Sequence, residues 1–309
     1  MRSHRCGLIT TITALLVLAG LPAAASAAPR GLPGTVACER ASGDRQTVLL
    51  VHGTGATPQE AWSWAYRRAL RADGFGVCTV RLPQRALVDF TESAEVAADA
   101  ARAVHRYSGR KIAMIGHSQA GLMVAWLVKF FPDVARITGD AISLAGPMNG
   151  TALADALCAT GGCAPIAWQL RTDSALVKAF TRAPVPAGPS ITSLSTRYDT
   201  VVFPQPAAGR LDGARSILVQ DVCPAQLVEH GTMITDPAVY AMVIDALKHA
   251  GPASPSRVRK TVCGNGFLPH LDPSGAPGAT RTITELGVGL MNPANWVDAE
   301  PRLPAYARR

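Results

Sequence analysis

The chain has 309 residues, of which 48% are hydrophobic and 17% charged, and its formal net charge is +8. A chain of this length is long enough for one large α/β domain with a sizeable core. Its basic residues are scattered singly rather than clustered between aromatic residues, so the charge does not indicate a nucleic-acid partner.

The first 27 residues have the three parts of a secretory signal peptide. Arg2 and Arg5 form a basic start, an apolar run covers Leu8 to Leu21, and Ala25-Ser26-Ala27 supplies small residues for cleavage. The apolar run is too short to span a bilayer, and no later run is long enough. We therefore expect a secreted, extracellular protein with no integral membrane segment, whose single mature domain covers residues 28–309.

Short apolar strands and helices alternate along the mature chain. The predicted strands are 46–52, 75–80, 111–115, 137–145, 190–195 and 216–220. The predicted helices are 92–107, 122–131, 237–249 and one that carries Trp62, Tyr66 and Leu70. The tail after Cys263 is expected to be the least regular part. This alternation predicts a mainly parallel sheet with helices on both faces, with ligands bound at the carboxyl ends of the strands.

The segment Gly116–Gly121 connects a predicted strand directly to a predicted helix. Its sequence is GHSQAG, close to the G-x-S-x-G nucleophile elbow, in which a strained turn pushes a serine out of the sheet. Ala120 stands where the usual pattern has glycine, and Gly121 follows. The alternative is an ordinary strand-to-helix turn. Because both flanking elements are present, Ser118 is the predicted nucleophile.

A serine nucleophile needs a basic histidine, which follows it in the chain order of this arrangement. Three histidines follow Ser118. His249 closes a predicted helix, where a cation is favourable for electrostatic reasons alone, and His270 lies in the Pro/Gly-rich tail. His230 lies in a loop between a strand and a helix, so it is the predicted base.

The acid that orients this histidine is expected after a strand that lies between the serine and the histidine. Asp199 comes just after the strand 190–195 and before an apolar triplet. Asp140 lies in or before its own strand, Asp173 in a predicted helix and Asp221 close to Cys223. Asp199 is therefore the predicted acid.

Gly53-Thr54-Gly55 ends the first predicted strand. A dinucleotide-binding loop would need a third glycine at the position of Pro58, so that reading is disfavoured. We expect the backbone N–H groups of Thr54 and Gln119 to form an oxyanion hole, with the Thr54 hydroxyl as a third donor.

Six cysteines remain once the leader, which contains Cys6, is removed. An even number in an exported chain favours disulfides, and the absence of Cys-x-x-Cys spacing disfavours zinc. Counting alone leaves about 15 pairings open. No metal and no cofactor are expected. These cysteines are Cys38, Cys78, Cys158, Cys163, Cys223 and Cys263.

Six longer segments follow one another in order along the mature chain: VLLVHGTGATPQEAW (Val48–Trp62), IGHSQAGLMVAW (Ile115–Trp126), GTALADAL (Gly150–Leu157), SLSTRYDTVVFPQ (Ser193–Gln205), VCPAQLVEH (Val222–His230) and EPRLPAYAR (Glu300–Arg308). Together they resemble secreted lipases of the Candida antarctica lipase B type and their actinobacterial relatives. The resemblance implies an α/β-hydrolase fold over residues 28–309, with a small lid segment.

The resemblance also implies roles for individual residues. It makes Ser118 the nucleophile, Asp199 the acid and His230 the base, with Thr54 and Gln119 as the oxyanion groups. The disulfide pairs that it implies are Cys38–Cys78 and Cys223–Cys263, which leave Cys158–Cys163 as a local pair.

Two departures from this family pattern affect the site. His117 and Ala120 stand where the family has tryptophan and glycine, which alters the pocket beside the nucleophile. Cys158 and Cys163 lie in the segment that forms the lid in the family, where a disulfide would restrain lid opening.

The sequence thus predicts a monomeric extracellular serine hydrolase of carboxylic esters, a lipase or an esterase. Its substrate is an ester or a lipid, with peripheral contact to a lipid surface. The same residues would serve a transacylase, an amidase or a polyester hydrolase, because the fold does not select the bond or the acceptor. A non-catalytic binding protein on a hydrolase fold is the remaining alternative.

Overall fold

A computed structural model of the chain describes Met1, residues 33–264 and residues 266–308. The predicted leader at residues 1–27 lies, apart from Met1, outside the described residues. Its boundary with the mature domain therefore stays a prediction. Within the described part of the chain, no helix is both long and apolar enough to cross a membrane.

Seven strands of the described chain form one sheet in the order β1-β3-β2-β4-β5-β6-β7. The edge strand β1 is antiparallel to β3, and every other neighbouring pair is parallel. The strands are β1 (Val36–Glu39), β2 (Thr47–Val51), β3 (Gly76–Val80), β4 (Ile112–His117), β5 (Thr138–Leu144), β6 (Ser190–Ser195) and β7 (Arg215–Leu218).

Helices connect the strands and cover both faces of the sheet. The α-helices are α1 (Pro58–Trp62), α2 (Tyr66–Ala72), α3 (Phe90–Ser108), α4 (Gln119–Phe130), α5 (Pro132–Ile137), α6 (Ala152–Leu157), α7 (Pro165–Gln169), α8 (Ala175–Thr181), α9 (Val219–Val222), α10 (Pro237–Lys248) and α11 (Ala276–Met291). Short 3-10 turns lie at Pro83–Ala86, Gly231–Ile234, Pro255–Arg257, Lys260–Val262, Pro273–Gly275, Pro293–Asn295 and Ala305–Ala307.

The central strands are buried on both faces, as their continuous apolar runs require. All five residues of β2 are buried. Leu49 and Val51 pack into the core shared with Phe90 of α3 and Trp126 of α4, whereas Val48 and Leu50 pack into a second core on the opposite face. Successive side chains of a strand point to opposite faces, so one short apolar run supplies both cores.

The structure confirms the predicted α/β architecture, a mainly parallel sheet with helices on both faces. The ends of the six predicted strands are correct to within two residues, and both ends of β6 and the last residue of β3 agree; the edge strand β1 was not predicted. At β7 the strand stops at Leu218, whose N–H donates to Asp221 Oδ2 at 3.0 Å, so the chain turns into α9 there.

Two predictions about elements are wrong. The single helix expected around Trp62, Tyr66 and Leu70 is two helices, because Ala65 (φ −129°, ψ −94°) leaves the helical region between them. The tail expected to be irregular contains α11, a helix of 16 residues. This helix packs against α1. A Cβ placed on Gly278 would lie 3.4 Å from the Cα atom of Glu60.

Candidate active site

Ser118 lies on the sharp turn between β4 and α4 at the carboxyl edge of the sheet. Its backbone has φ 59° and ψ −131°, a conformation that non-glycine residues adopt only when the surroundings hold them in it. The Ser118 N–H donates to the Leu144 carbonyl at 2.8 Å, and the Gly121 N–H donates to the Ser118 carbonyl at 2.7 Å. The strained turn is therefore fixed from β5 and from α4.

The elbow depends on close backbone approaches that only glycine permits. A Cβ at position 116 would lie 1.9 Å from the Ala120 carbonyl oxygen, and one at position 121 would lie 2.5 Å from Ser143 Oγ. Ala120, the departure from the usual motif, is fully buried, so a methyl group is accommodated at that position. The close contacts fall on Gly116 and Gly121, which explains why alanine at position 120 leaves the elbow intact.

His230 and Asp199 are brought together from two different loops. His230 Nδ1 lies 3.0 Å from both carboxylate oxygens of Asp199, whose side chain is fully buried. The Asp199 Oδ1 atom also accepts from the backbone N–H groups of Val201 at 2.9 Å and Val202 at 2.7 Å. With Nδ1–H donating to the carboxylate, Nε2 is the basic atom of the neutral imidazole.

Ser118, His230 and Thr54 line one cavity of about 580 Å³. Its remaining walls are mainly apolar side chains from residues 56–64, from the turn Gly231–Ile234, from the segment 267–273 and from α11. They include Ala61, Trp64, Ile234, Phe267, Leu271, Ala279, Ile283 and Leu286. The predicted lid segment at Cys158–Cys163 contributes none of the lining residues. The helix α11 lines one wall of the cavity instead. A mostly apolar cavity with a few polar groups at one end suits a substrate with an apolar chain.

The predicted oxyanion residues face each other across the elbow. Thr54 Oγ1 donates to Gln119 Oε1 at 2.6 Å. Gln119 is the first residue of α4, and the first N–H groups of a helix have no partner within the helix. The Gln119 backbone N–H is therefore available to a developing negative charge, and the helix N-terminus adds a favourable field.

His117 contacts the predicted base, a role that the sequence did not reveal. His117 Nε2 donates to the His230 carbonyl at 3.0 Å, and the two rings are 5.0 Å apart. Burial, followed by the nearby His230 charge, lowers the pKa of His117 to about 3. The ring is thus neutral at pH 7 and fixes the main chain of His230.

The other candidate histidines and acids have partners elsewhere. His249 Nδ1 contacts Asp245 at the end of α10. Asp140 accepts from Gln46, and Asp173 pairs with Arg171. Asp221 accepts from Leu218, and the His270 carbonyl accepts from Arg68. None of these side chains lines the cavity that contains Ser118.

The structure contains the three disulfides that the resemblance implies, Cys38–Cys78, Cys158–Cys163 and Cys223–Cys263. Cys163 also pairs through its backbone with Val297, just beyond α11. Among the residues that the structure describes, no group of three or more His, Cys, Asp or Glu side chains is arranged to hold a metal ion.

Comparison with known proteins gives concordant results. A model of the alpha/beta hydrolase family matches residues 48–298. Lipase B of Pseudozyma antarctica is 27% identical over 274 residues, which cover 84% of this chain and 79% of that protein.

Solved structures show the same fold. Lipase B of Aspergillus fumigatus matches with a TM-score of 0.80 at 22% identity, covering 88% of this chain and 70% of that chain. Bacillus licheniformis lipase BlEst2 in its propeptide form matches with a TM-score of 0.56 at 16% identity, covering 72% of this chain and 56% of that chain. The fold is therefore shared with lipases from a fungus and a bacterium.

Proposed function

Because the chain belongs to the α/β hydrolase family, we propose that it is an extracellular serine hydrolase of carboxylic esters that acts through Ser118. Two relatives that cover more than four fifths of its length are named as lipases. The observation that carries the proposal is the 3.0 Å contact between His230 and the buried Asp199, at the same cavity as a serine on a strained elbow.

In this proposal, Ser118 Oγ attacks the ester carbonyl while its proton passes to His230 Nε2. Asp199 stabilises the imidazolium through the Nδ1–H bond. The tetrahedral oxyanion accepts from the backbone N–H groups of Thr54 and Gln119. Collapse expels the alcohol, which takes the proton from His230 and leaves an acyl-Ser118. Water, deprotonated by His230, then attacks this acyl group and releases the carboxylic acid.

The Thr54 hydroxyl can serve as a third donor only if its hydrogen is released from Gln119 Oε1. Gln119 Nε2 is buried with no hydrogen-bond partner in the described part of the chain. A half-turn of this carboxamide would let Nε2–H donate to Thr54 Oγ1. The hydroxyl hydrogen would then be free for the oxyanion.

The cavity and its surroundings support an ester with an apolar chain. Ile283 and Phe267 line the cavity yet are 70% and 64% exposed, so an apolar surface continues outwards from its walls. Such a surface favours peripheral contact with lipid aggregates. Three disulfides support an oxidising, extracellular location.

The proposal is tested by hydrolysis of p-nitrophenyl butyrate with purified variants. Ser118→Ala and His230→Gln are each expected to lower kcat by a factor of roughly 10⁴ or more, without adding to each other, because the residues act as one unit. His249→Gln is the matched control, since this histidine lies at the end of α10 away from the cavity, and it is expected to retain activity.

Residual activity of Ser118→Ala within tenfold of the wild type would contradict the nucleophile assignment. A larger loss in His249→Gln than in His230→Gln would contradict the choice of base. A series of p-nitrophenyl esters of increasing chain length, with an emulsified triglyceride beside it, separates a lipase from an esterase. Labelling by a fluorophosphonate separates both from a non-catalytic binding protein.

A further inference from the structure

The turn after β3 has an unusual backbone that the catalytic assignment does not explain. Gln84, Arg85 and Ala86 have φ values of 41°, 57° and 58°, so three consecutive non-glycine residues lie in the left-handed region. This conformation is unfavourable for L-residues and is rarely found in succession. It persists only where other contacts hold it, so the contacts of this turn are informative.

Arg85 holds both polar backbone groups of Gly55, the residue that follows Thr54. The Gly55 N–H donates to the Arg85 carbonyl at 2.7 Å, and Arg85 Nε donates to the Gly55 carbonyl at 2.7 Å. Gly55 itself has φ +77°, and a Cβ there would lie 2.7 Å from Leu286 of α11. The left-handed turn is what brings the main chain and the side chain of one arginine to the same residue.

The guanidinium of Arg85 also binds Glu60 of α1. Glu60 Oε2 accepts in addition from the Thr57 N–H at 3.1 Å and from Thr282 Oγ1 of α11 at 3.2 Å. The Glu60 side chain is 11% exposed and lines the cavity that contains Ser118. Arg85 thus joins the Thr54 loop, α1 and α11, and it compensates a largely buried negative charge beside the site.

We propose that Arg85 is a positioning residue for the oxyanion hole. It fixes the main chain of Gly55, the residue after Thr54, and through this neighbour holds the Thr54 N–H where the oxyanion develops. It also neutralises Glu60, whose unpaired carboxylate would repel that negative charge. This inference rests on the proposed ester hydrolysis, because an oxyanion hole matters only if acyl transfer takes place.

The test compares Arg85→Met with Arg81→Met by steady-state hydrolysis of p-nitrophenyl butyrate. Arg81 is the matched control, since it is an exposed arginine on the same segment whose side-chain contact is with Gln59 of α1. Arg85→Met is expected to lower kcat on the order of 10- to 100-fold with KM changed less than threefold, because misplaced donors weaken only the transition state. Arg81→Met is expected to stay within twofold.

Coupling to Thr54 distinguishes positioning from general stabilisation. Thr54→Val removes the hydroxyl donor of the same loop, so its effect on kcat is expected to be non-additive with that of Arg85→Met. Rates are expressed per active site titrated to completion with a fluorophosphonate, so unfolded enzyme does not count. If Arg85→Met does not fold, Arg85→Lys and Arg85→Gln are measured in the same cycle.

Three outcomes would overturn the proposal. These are a kcat within twofold of the wild type, a change confined to KM, or losses that multiply independently with Thr54→Val. If the wild type itself hydrolyses no ester, or if Ser118→Ala is as active as the wild type, the proposed function fails. If both of those behave as expected and only Arg85→Met is normal, this inference alone fails.

Discussion

Replacing His52 with glutamine is expected to make folding less sensitive to acid. His52 directly follows β2 and is fully buried. Its Nδ1–H donates to the Gly53 carbonyl at 2.9 Å, and its Nε2 accepts from the Leu82 N–H at 3.1 Å. The ring must therefore be neutral, since a proton on Nε2 would face the Leu82 N–H. Glutamine offers an NH2 group that donates and an oxygen that accepts, and it does not titrate in this range.

The magnitude follows from the shift in pKa. Burial lowers the pKa of His52 from 6.5 to about 4. Between these values the unfolded chain binds a proton that the folded chain does not, so the free energy of unfolding falls as the pH is lowered through this window. The loss attributable to His52 is about 3 kcal/mol and is complete below pH 4. Above pH 6.5 His52 contributes its full stability.

The measurement is equilibrium unfolding in urea, with the disulfides intact, at pH 8 and at pH 4 for the wild type and His52→Gln. The difference in the free energy of unfolding between the two proteins separates the effect of His52 from that of other titrating groups, including His117. We expect this difference to shift by about 3 kcal/mol in favour of the glutamine variant at pH 4. A difference that stays constant within about 1 kcal/mol between the two pH values would refute the reasoning.

Two further predictions concern stability. Burial raises the pKa of Asp140 to about 6, so the folded state binds a proton more readily than the unfolded one. Stability is therefore lost as the pH rises from about 4 to about 6. In urea unfolding, the free energy of unfolding of Asp140→Asn relative to the wild type should rise by about 2 kcal/mol between pH 4 and pH 7. A relative free energy that does not change with pH would contradict this. The Cys158–Cys163 disulfide joins residues only 5 apart in sequence, against 40 for Cys38–Cys78. Replacing Cys158 and Cys163 with serine should lower the free energy of unfolding by about 2 kcal/mol, and replacing Cys38 and Cys78 should lower it by about 4 kcal/mol. Equal losses would contradict the loop-length argument.

The residues that line the cavity bear on the role of this disulfide. The sequence predicts that a Cys158–Cys163 disulfide restrains the opening of a lid. In the structure its residues do not line the cavity, and Cys163 instead pairs with Val297 beyond α11. Removal of the disulfide is therefore expected to act on the substrate through the end of α11. Its effect on short soluble esters should be small, with KM within twofold of the wild type.

The predicted triad depended on signals that are local in the sequence. A buried strand, a GHSQAG turn and an apolar helix follow one another directly, so the position of Ser118 could be derived without tertiary contacts. Asp199 and His230 could be selected because each follows a strand in the required chain order. The hydrogen bond that joins them is 3.0 Å long and connects residues 31 positions apart, so no local sequence pattern could predict it.

Other features became evident only in the folded chain. The α11 sequence contains a proline and three glycines, and Gly289 is its one buried residue, so its helical pattern is weak when taken alone. Its position depends on close contact with Gly55 and with Leu87, which lie far away in the sequence. No residue type in the left-handed turn at Arg85 favours that backbone. The turn is stabilised instead by the contacts of Arg85 with Gly55 and Glu60. The sequence thus determined the sheet, the elbow and the candidate triad through local periodicity and motif spacing. Tertiary packing alone decided which segment covers the site and what holds the oxyanion loop, because those contacts join residues that no local pattern relates.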